Sequence, residues 1–232
     1  MKQKTVLSDI EINGIGLHTG NKTAIRICPA PEGYGIRFQR MDIPQQPVLE
    51  AVADFVVTTN RSTVLSKDDV TVGTTEHLLS AFFGMGIDNV LVQMWGGEIP
   101  ILDGSALPFA RFIKETGVLT QQAEREYITI SEPIVFNEKK SGTVIEIHPS
   151  EKLTVEVTID FNSRILGKQA FSYNEETDYY SEIAASRTFV FLDEILSLFK
   201  KGLVRGGDLE NALVISEKEI NPEDLQLLRQ LY

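Results

Sequence analysis

Residues 73–84, with the sequence Gly-Thr-Thr-Glu-His-Leu-Leu-Ser-Ala-Phe-Phe-Gly, constrain the fold of this chain more than any other segment. Thr74 or Thr75 can cap a helix that begins at Glu76, where the helix dipole favours a negative charge. Its final glycine supplies a stop. The apolar side chains that predict a buried stripe on this helix are Leu78, Leu79, Phe82 and Phe83. Glu76 and His77 are titratable residues at the N-terminal end of an otherwise apolar helix. Such a pair indicates part of an active site.

The composition limits the classes of function. The chain has 232 residues, of which 42% are hydrophobic and 24% charged, as in ordinary soluble globular proteins. Its 33 acidic and 22 basic residues give a net charge of −11, which opposes binding to nucleic acid or to an anionic membrane surface. The single cysteine, Cys28, excludes an internal disulfide and fits a reducing compartment. No apolar run approaches the length of a membrane span, so we expect a cytoplasmic protein.

The pattern of the chain predicts two α+β halves. Residues 1–121 contain several strand patterns, the helix at Glu76 and a second helix over residues 107–116. A polar stretch that follows Gly117 marks the boundary, so the second domain covers residues 122–232. Both halves carry the order helix, glycine-rich turn and strand. That similarity supports two related domains, although chance explains it nearly as well.

Histidine chemistry in this chain has to use one of three residues, which are His18, His77 and His148. Glu76 beside His77 fits a general base next to a metal ligand, because the carboxylate can take a proton from a metal-bound water. The pair also fits a helix-start glutamate beside a surface histidine. The residues alone favour this second interpretation, because a catalytic zinc usually has three protein ligands and the chain lacks His-Glu-x-x-His spacing or a cysteine pair.

Two glycine-containing turns carry further candidates. Residues 14–20 hold three glycines and His18, so their backbone amides could approach a phosphate, although a structural hairpin turn is favoured. Residues 98–106 combine two acids with a tight turn. There Asp103 could orient a ligand histidine or cap the helix that begins near residue 107, and capping is favoured.

The second half offers a hydroxyl and an apolar run. Thr188 lies in a turn between two helices, where its hydroxyl can stabilise an oxyanion or cap a helix. Apolar residues are frequent over residues 189–204, more so than one helix face requires. They fit a channel for an apolar ligand, and they also fit ordinary core.

Taken together, these segments resemble the UDP-3-O-acyl-N-acetylglucosamine deacetylases, the zinc amidases of bacterial lipid A synthesis. The resemblance covers essentially the whole chain, and the matching segments are residues 14–20, 74–78, 86–89, 98–105, 187–189, 202–207 and 210–212. It implies an α+β fold of two similar domains, each a β-sheet with helices, with the helices sandwiched between the two sheets.

The resemblance also implies an activity and a role for individual residues. The reaction is the zinc-dependent release of acetate from UDP-3-O-acyl-N-acetylglucosamine, the committed step of lipid A biosynthesis, in the cytoplasm of a Gram-negative bacterium. His77 resembles a zinc ligand, Glu76 the general base and Thr188 the oxyanion-stabilising hydroxyl. His18 resembles a residue near the substrate phosphates. The other substrate-binding candidates are Asp160 and Phe161 at the uridine end, Phe189 at the acyl tunnel, and Leu192, Leu203 and Gly207.

One departure from the family pattern concerns the metal. The other zinc ligands of the family lie in a His-Lys-x-x-Asp motif, which does not occur in this sequence. The chain therefore supplies one of three ligands, and we expect the 232 residues alone to bind zinc weakly and to be inactive. Some relatives carry a fused dehydratase domain. The alternative function is a non-enzymatic module that binds a ligand or nucleotide on a two-layer α+β fold.

Overall fold

A computed structural model describes residues 1–200 and 205–228. The chain forms two compact units, one made of Met1–Ala123 with Asp178–Tyr232 (unit 1) and the other of Glu124–Thr177 (unit 2). Strands in several sheets and a few helices confirm the α+β class. The division of the chain at residue 121 and the placement of the helices between two sheets stay predictions.

Strands outnumber helices in the part of the chain that the structure describes. The strands are Lys2–Val6 (β1), Ile10–Ile15 (β2), Lys22–Pro29 (β3), Ile36–Arg40 (β4), Val48–Glu50 (β5), Val56–Thr58 (β6), Val64–Lys67 (β7), Val70–Val72 (β8), Val90–Trp95 (β9), Val118–Glu124 (β10), Ile134–Glu138 (β11), Thr143–Ile147 (β12), Val155–Asp160 (β13), Lys168–Tyr173 (β14), Phe189–Phe191 (β15) and Leu213–Ile215 (β16). The α-helices are Glu76–Gly84 (α1), Leu107–Thr116 (α2), Leu192–Lys200 (α3) and Pro222–Leu228 (α4), and a 3₁₀ helix at Ala53–Phe55 and a π-helix at Tyr179–Ile183 are also present. Over the residues described, no helix is long and apolar enough to cross a membrane.

The centre of unit 1 is a five-stranded sheet of order β2-β3-β9-β4-β5, in which only β4 and β9 run parallel. Alternate residues of the sheet point into the core, as the period of a strand requires. Helices α1 and α2 contact each other and contribute to the same core. Fully buried members of this core are Ile27, Phe38, Val92, Leu78, Phe82, Phe109 and Ile113. The helix that carries Glu76 and His77 is thus held on a sheet.

The smaller sheets extend both units. In unit 1, β1 pairs with β10, β6-β7-β8 form an antiparallel sheet, and β15 pairs with β16 in parallel. Unit 2 contains two antiparallel hairpins, β11 with β12 and β13 with β14. In the second hairpin one face is apolar and includes Val157 opposite Phe171, whereas the other face is polar and includes Asp160 opposite Lys168.

The predicted helices at residues 76–84 and 107–116 are confirmed. Within α1, the prediction that Phe83 belongs to the buried stripe is wrong, because its side chain is 58% exposed and Ala81 is buried instead. Gly84 is the last helical residue, and the positive φ of 69° that turns the chain belongs to Gly86. The sequence did not predict β4, β8, β10, β14 or β15. The polar stretch after Gly117, which was expected to be a boundary, forms strand β10 and pairs with β1.

The neighbouring phenylalanines of α1 provide a matched test of the core. Replacing Phe82 by alanine should lower the free energy of unfolding by about 3–5 kcal/mol, because a fully buried aromatic ring leaves a cavity. The same change at the exposed Phe83 should cost less than about 1 kcal/mol. Urea unfolding followed by circular dichroism measures both. Equal losses in the two variants would contradict this orientation of the helix.

Candidate active site

The start of α1 is held by contacts to other segments rather than by a side-chain cap. Thr75 is the N-cap residue, but its hydroxyl donates to the Thr63 carbonyl (3.2 Å), and no side-chain cap forms. The Thr74 hydroxyl donates to Glu98 Oε1 (2.8 Å). The predicted position of Thr75 at the N-cap and of Glu76 in the first turn is confirmed, but the side-chain hydrogen bond of a threonine cap does not form. Glu76 Oε2 accepts a hydrogen bond from the Thr63 amide (2.9 Å), which fixes the carboxylate.

His77 lies next to Glu76 and is half-buried. Burial lowers the pKa of its imidazole below the ordinary value, because a desolvated ring disfavours the charged form. The charges of Glu76 and Asp103 act in the opposite direction on this pKa. The neutral ring is the form that can offer a nitrogen lone pair to a cation or to a donor.

The turn of residues 14–20 is bound to a buried carboxylate. Glu98 is 4% exposed, and its two oxygens accept from the His18 amide (2.9 Å), the Thr19 amide (3.1 Å) and the Thr19 hydroxyl (2.8 Å). Burial alone would raise the pKa of Glu98, but these bonds and the one from Thr74 hold it below its ordinary value. A Cβ on Gly16 would lie 2.3 Å from Glu98 Oε2, so the close approach of the turn requires glycine there.

The acid at position 103 has a different role from the favoured prediction. Asp103 Oδ1 accepts from the Ser105 amide (3.0 Å) and hydroxyl (2.8 Å), and Ser105 Oγ in turn accepts from the Leu107 amide (3.1 Å). The N-cap of α2 is Ala106, which offers no capping side chain. Helix capping by Asp103 is therefore wrong. Among the residues described, no hydrogen bond joins Asp103 to His77, and the orienting role stays a prediction.

Thr188 is tied to this same segment by its backbone. Its amide donates to the Gly104 carbonyl (2.8 Å), and the Arg187 side chain donates through Nε to the Asp103 carbonyl (2.8 Å). The Thr188 carbonyl accepts from the Leu213 amide (3.0 Å). These bonds hold Thr188, the residue predicted to stabilise an oxyanion, next to the segment Asp103-Gly104.

A cavity of about 160 Å³ collects four of the predicted substrate-binding and catalytic residues, which are His18, Thr188, Phe189 and Gly207. Apolar side chains from several segments complete its wall, among them Leu17, Val190, Ile195, Leu198 and Val214. His18 Nε2 is buried and has no hydrogen-bond partner among the residues described. Since buried polar atoms are nearly always paired, this atom marks a place for a water molecule or for a polar group of a ligand.

The remaining predicted site residues are distributed elsewhere. Leu192 is buried and packs with Ile195 and Leu228, but it does not line the cavity. Leu203 lies outside the described residues. Asp160 ends β13 in unit 2, where its Oδ1 accepts from the Asn162 amide (2.9 Å), and the next residue, Phe161, is 49% exposed. Their roles in substrate binding stay predictions.

Two residues of the site were missed or underrated by sequence reasoning. Arg61, from the loop before β7, lines the cavity and forms an ion pair with Glu194 of α3. An isolated cation in a loop has no periodic signal that could have marked it. Glu98 was noticed only as one acid of a tight turn, and the clue to its burial was its place in an apolar segment with Ile99 and Ile101.

The described residues do not form a complete zinc site. Over residues 1–200 and 205–228, no group of three or more His, Cys, Asp or Glu side chains is placed to hold a metal ion. A catalytic zinc ion usually takes three protein ligands. His77 can supply one nitrogen, so the donors present in this part of the chain do not fit a zinc ion by themselves.

Comparison with known proteins identifies the family. The family model described as LpxC, UDP-3-O-acyl N-acetylglycosamine deacetylase, matches residues 3–229. The chain therefore belongs to this deacetylase family, as the resemblance of its motifs implies.

Curated relatives are similar over nearly the whole chain. The bifunctional enzyme LpxC/FabZ of Bacteroides thetaiotaomicron is 40% identical over 98% of the chain and 50% of its own length. The UDP-3-O-acyl-N-acetylglucosamine deacetylase of Myxococcus xanthus is 40% identical over 97% of the chain and 71% of its own length. The corresponding protein of Methylococcus capsulatus is 39% identical over 97% of the chain and 74% of its own length. The chain spans about half the length of the bifunctional relatives and under three quarters of the other two.

The depressed pKa of Glu98 predicts a pH-dependent contribution to stability. A carboxyl whose pKa is lower in the folded state stabilises the fold above its unfolded pKa, near 4.5, and loses this contribution as the pH falls through the folded pKa. At pH 7, Glu98→Gln should cost roughly 1–3 kcal/mol, because the amide leaves buried donors unpaired. The difference from wild type should shrink below about pH 4.5.

Urea unfolding at a series of pH values measures this difference. Glu11→Gln is the matched control, because Glu11 is exposed and its ion pair with Arg26 lies on the sheet surface. A cost at Glu98 that stays constant from pH 7 to pH 3 would contradict the assignment of a charged, hydrogen-bonded carboxylate.

Proposed function

We propose that this chain carries part of the active site of an enzyme that removes the acetyl group from UDP-3-O-acyl-N-acetylglucosamine in lipid A biosynthesis. The observation that carries the proposal is the cavity that brings together His18, Thr188, Phe189 and Gly207. Its apolar wall suits an acyl chain, and the unpaired Nε2 of His18 suits a polar group of the substrate. Membership of the deacetylase family supports the same reaction.

Each polar residue of the site has a specific task in this reaction. Glu76 accepts the proton of the water that attacks the acetamide carbonyl. The Thr188 hydroxyl donates a hydrogen bond to the oxyanion that forms on that carbonyl. His18 contacts the phosphates of the nucleotide. Phe189 and the apolar wall bury the acyl chain, which stabilises the complex by about 0.8 kcal/mol for each methylene group.

Zinc belongs to the proposal for the intact enzyme. When bound, the ion polarises the carbonyl and activates the water. His77 supplies one nitrogen, and we place the other ligands outside the 232 residues, because the described residues contain no complete donor group. A cytoplasmic location, and a second enzyme fused to this one as in the relatives named LpxC/FabZ, are parts of the same proposal.

The ligand count predicts the behaviour of the isolated chain. The purified 232-residue protein should bind zinc more weakly than a complete three-ligand site and should release no acetate from the substrate. Isothermal titration with zinc and an acetate-release assay measure the two properties. Tight stoichiometric zinc binding or efficient turnover by this chain would show that its own residues complete the centre.

The division of roles between Glu76 and His77 predicts a separation of metal binding from turnover. In the intact enzyme, Glu76→Ala should retain the metal and lose about 10²–10⁴-fold in kcat, because the base is removed while the ligands remain. Glu76→Gln should behave in the same way while keeping an oxygen for the Thr63 amide. Elemental analysis and steady-state kinetics measure both effects. Glu115→Ala, at an exposed position of α2, is the control, and loss of metal at position 76 would contradict this division.

A further inference from the structure

The Glu98 side chain joins two segments that are far apart in the sequence. It accepts four hydrogen bonds, three from the turn at His18 and Thr19 and one from Thr74. A carboxylate has about four acceptor sites, so these donors use its capacity. Glu98 therefore has no lone pair to spare as a metal ligand or as a base.

The backbone around Glu98 makes the same connection. The Gly73 amide donates to the Gly97 carbonyl (2.9 Å), and the Ile99 amide donates to the Gly73 carbonyl (3.0 Å). On the other side, the Ile101 amide donates to the Ile15 carbonyl (3.0 Å). Residues 97–101 thus lie between the glycine-rich turn and the segment that leads into α1.

We infer that Glu98 is the positioning residue of the site, which sets the turn that carries His18 and the start of the helix that carries Glu76 and His77. The roles of those three residues come from the proposed function, on which this inference rests. Glu98 acts on the reaction only through them. Its Thr19 contacts orient the phosphate-binding turn, and its Thr74 contact orients the base and the imidazole.

The two halves of this arrangement can be separated by isosteric substitutions. Thr19→Val removes one donor from the turn, and Thr74→Val removes the donor before α1. Glu98→Gln weakens both connections, because its amide nitrogen faces donors. Glu98→Asp keeps the charge on a shorter side chain and should rescue part of the loss. Glu11→Gln and Thr71→Val, at exposed positions on strands β2 and β8, are the matched controls.

The first measurement is amide hydrogen exchange in the 232-residue chain, resolved by NMR. Glu98→Gln should speed exchange of the His18 and Thr19 amides at least tenfold more than it speeds exchange of the buried Val92 amide in β9, which reports the loss of global stability. Equal acceleration of all three amides would mean that the substitution only destabilises the whole fold, and this result would overturn the inference. This measurement needs no ligand, so it decides on the positioning of the turn independently of the proposed function.

The second measurement combines titration with UDP and the imidazole ¹⁵N spectrum, which is simple because the chain has three histidines. Thr19→Val should raise the Kd for UDP about tenfold and leave the His77 ring signals unchanged. Thr74→Val should shift the His77 ring signals and leave the Kd for UDP within twofold of wild type. The inference would be overturned if Thr19→Val and Thr74→Val changed the Kd for UDP and the His77 ring signals to the same extent. It would also be overturned if neither variant changed either quantity. Absence of UDP binding in wild type would instead overturn the phosphate role proposed for His18.

Discussion

The carboxylate of Glu98 is the interaction on which the arrangement of this site depends. A buried carboxylate is costly unless it is hydrogen-bonded, and its donors here come from two separate segments. The charge can therefore be buried only when the turn at His18 and the residue before α1 are both in place. Gly16 belongs to the same constraint, since a side chain there would collide with the carboxylate. Folding and formation of the site are thus coupled at one residue.

A second connection brings in the residues that follow α2 in the sequence. Gly104 receives the Thr188 amide, and Arg187 binds the carbonyls of Asp103 and Leu209. A Cβ on Gly104, where φ is 76°, would lie 1.8 Å from the Asn211 carbonyl oxygen. The close approach of these two backbone segments therefore requires glycine at position 104. Residues 97–105 make both sets of contacts. This one short segment therefore holds the turn at His18, the start of α1 and Thr188 in fixed positions relative to one another.

Local sequence patterns predicted helices α1 and α2. Strand β4, the partners of the threonine hydroxyls and the wall of the cavity depend on contacts between residues far apart in the sequence. Helices α1 and α2 have an apolar period and clear ends, which are properties of the sequence itself. Strand β4 alternates polar and apolar residues over only five positions and carries two arginines, so its pattern was too short to identify. The threonine hydroxyls at the start of α1 make no capping bond, because they donate instead to Thr63 and Glu98, which are remote in the sequence. The apolar run over residues 189–204 offered a channel as one of two interpretations, but the wall of the cavity also comes from separated segments, which no local pattern joins.

The surroundings of Glu76 and His77 suit a divided role. The Thr63 amide fixes one carboxylate oxygen of Glu76, and among the residues described no donor binds the other, which remains available to accept a proton. Burial favours the neutral imidazole of His77, and a neutral ring is the form that ligates metal. Neither property completes a catalytic centre, because the described residues provide no second and third ligand. The fold of unit 1 therefore presents a carboxylate with one oxygen fixed beside a neutral imidazole, which is the arrangement that the proposed roles of base and metal ligand require.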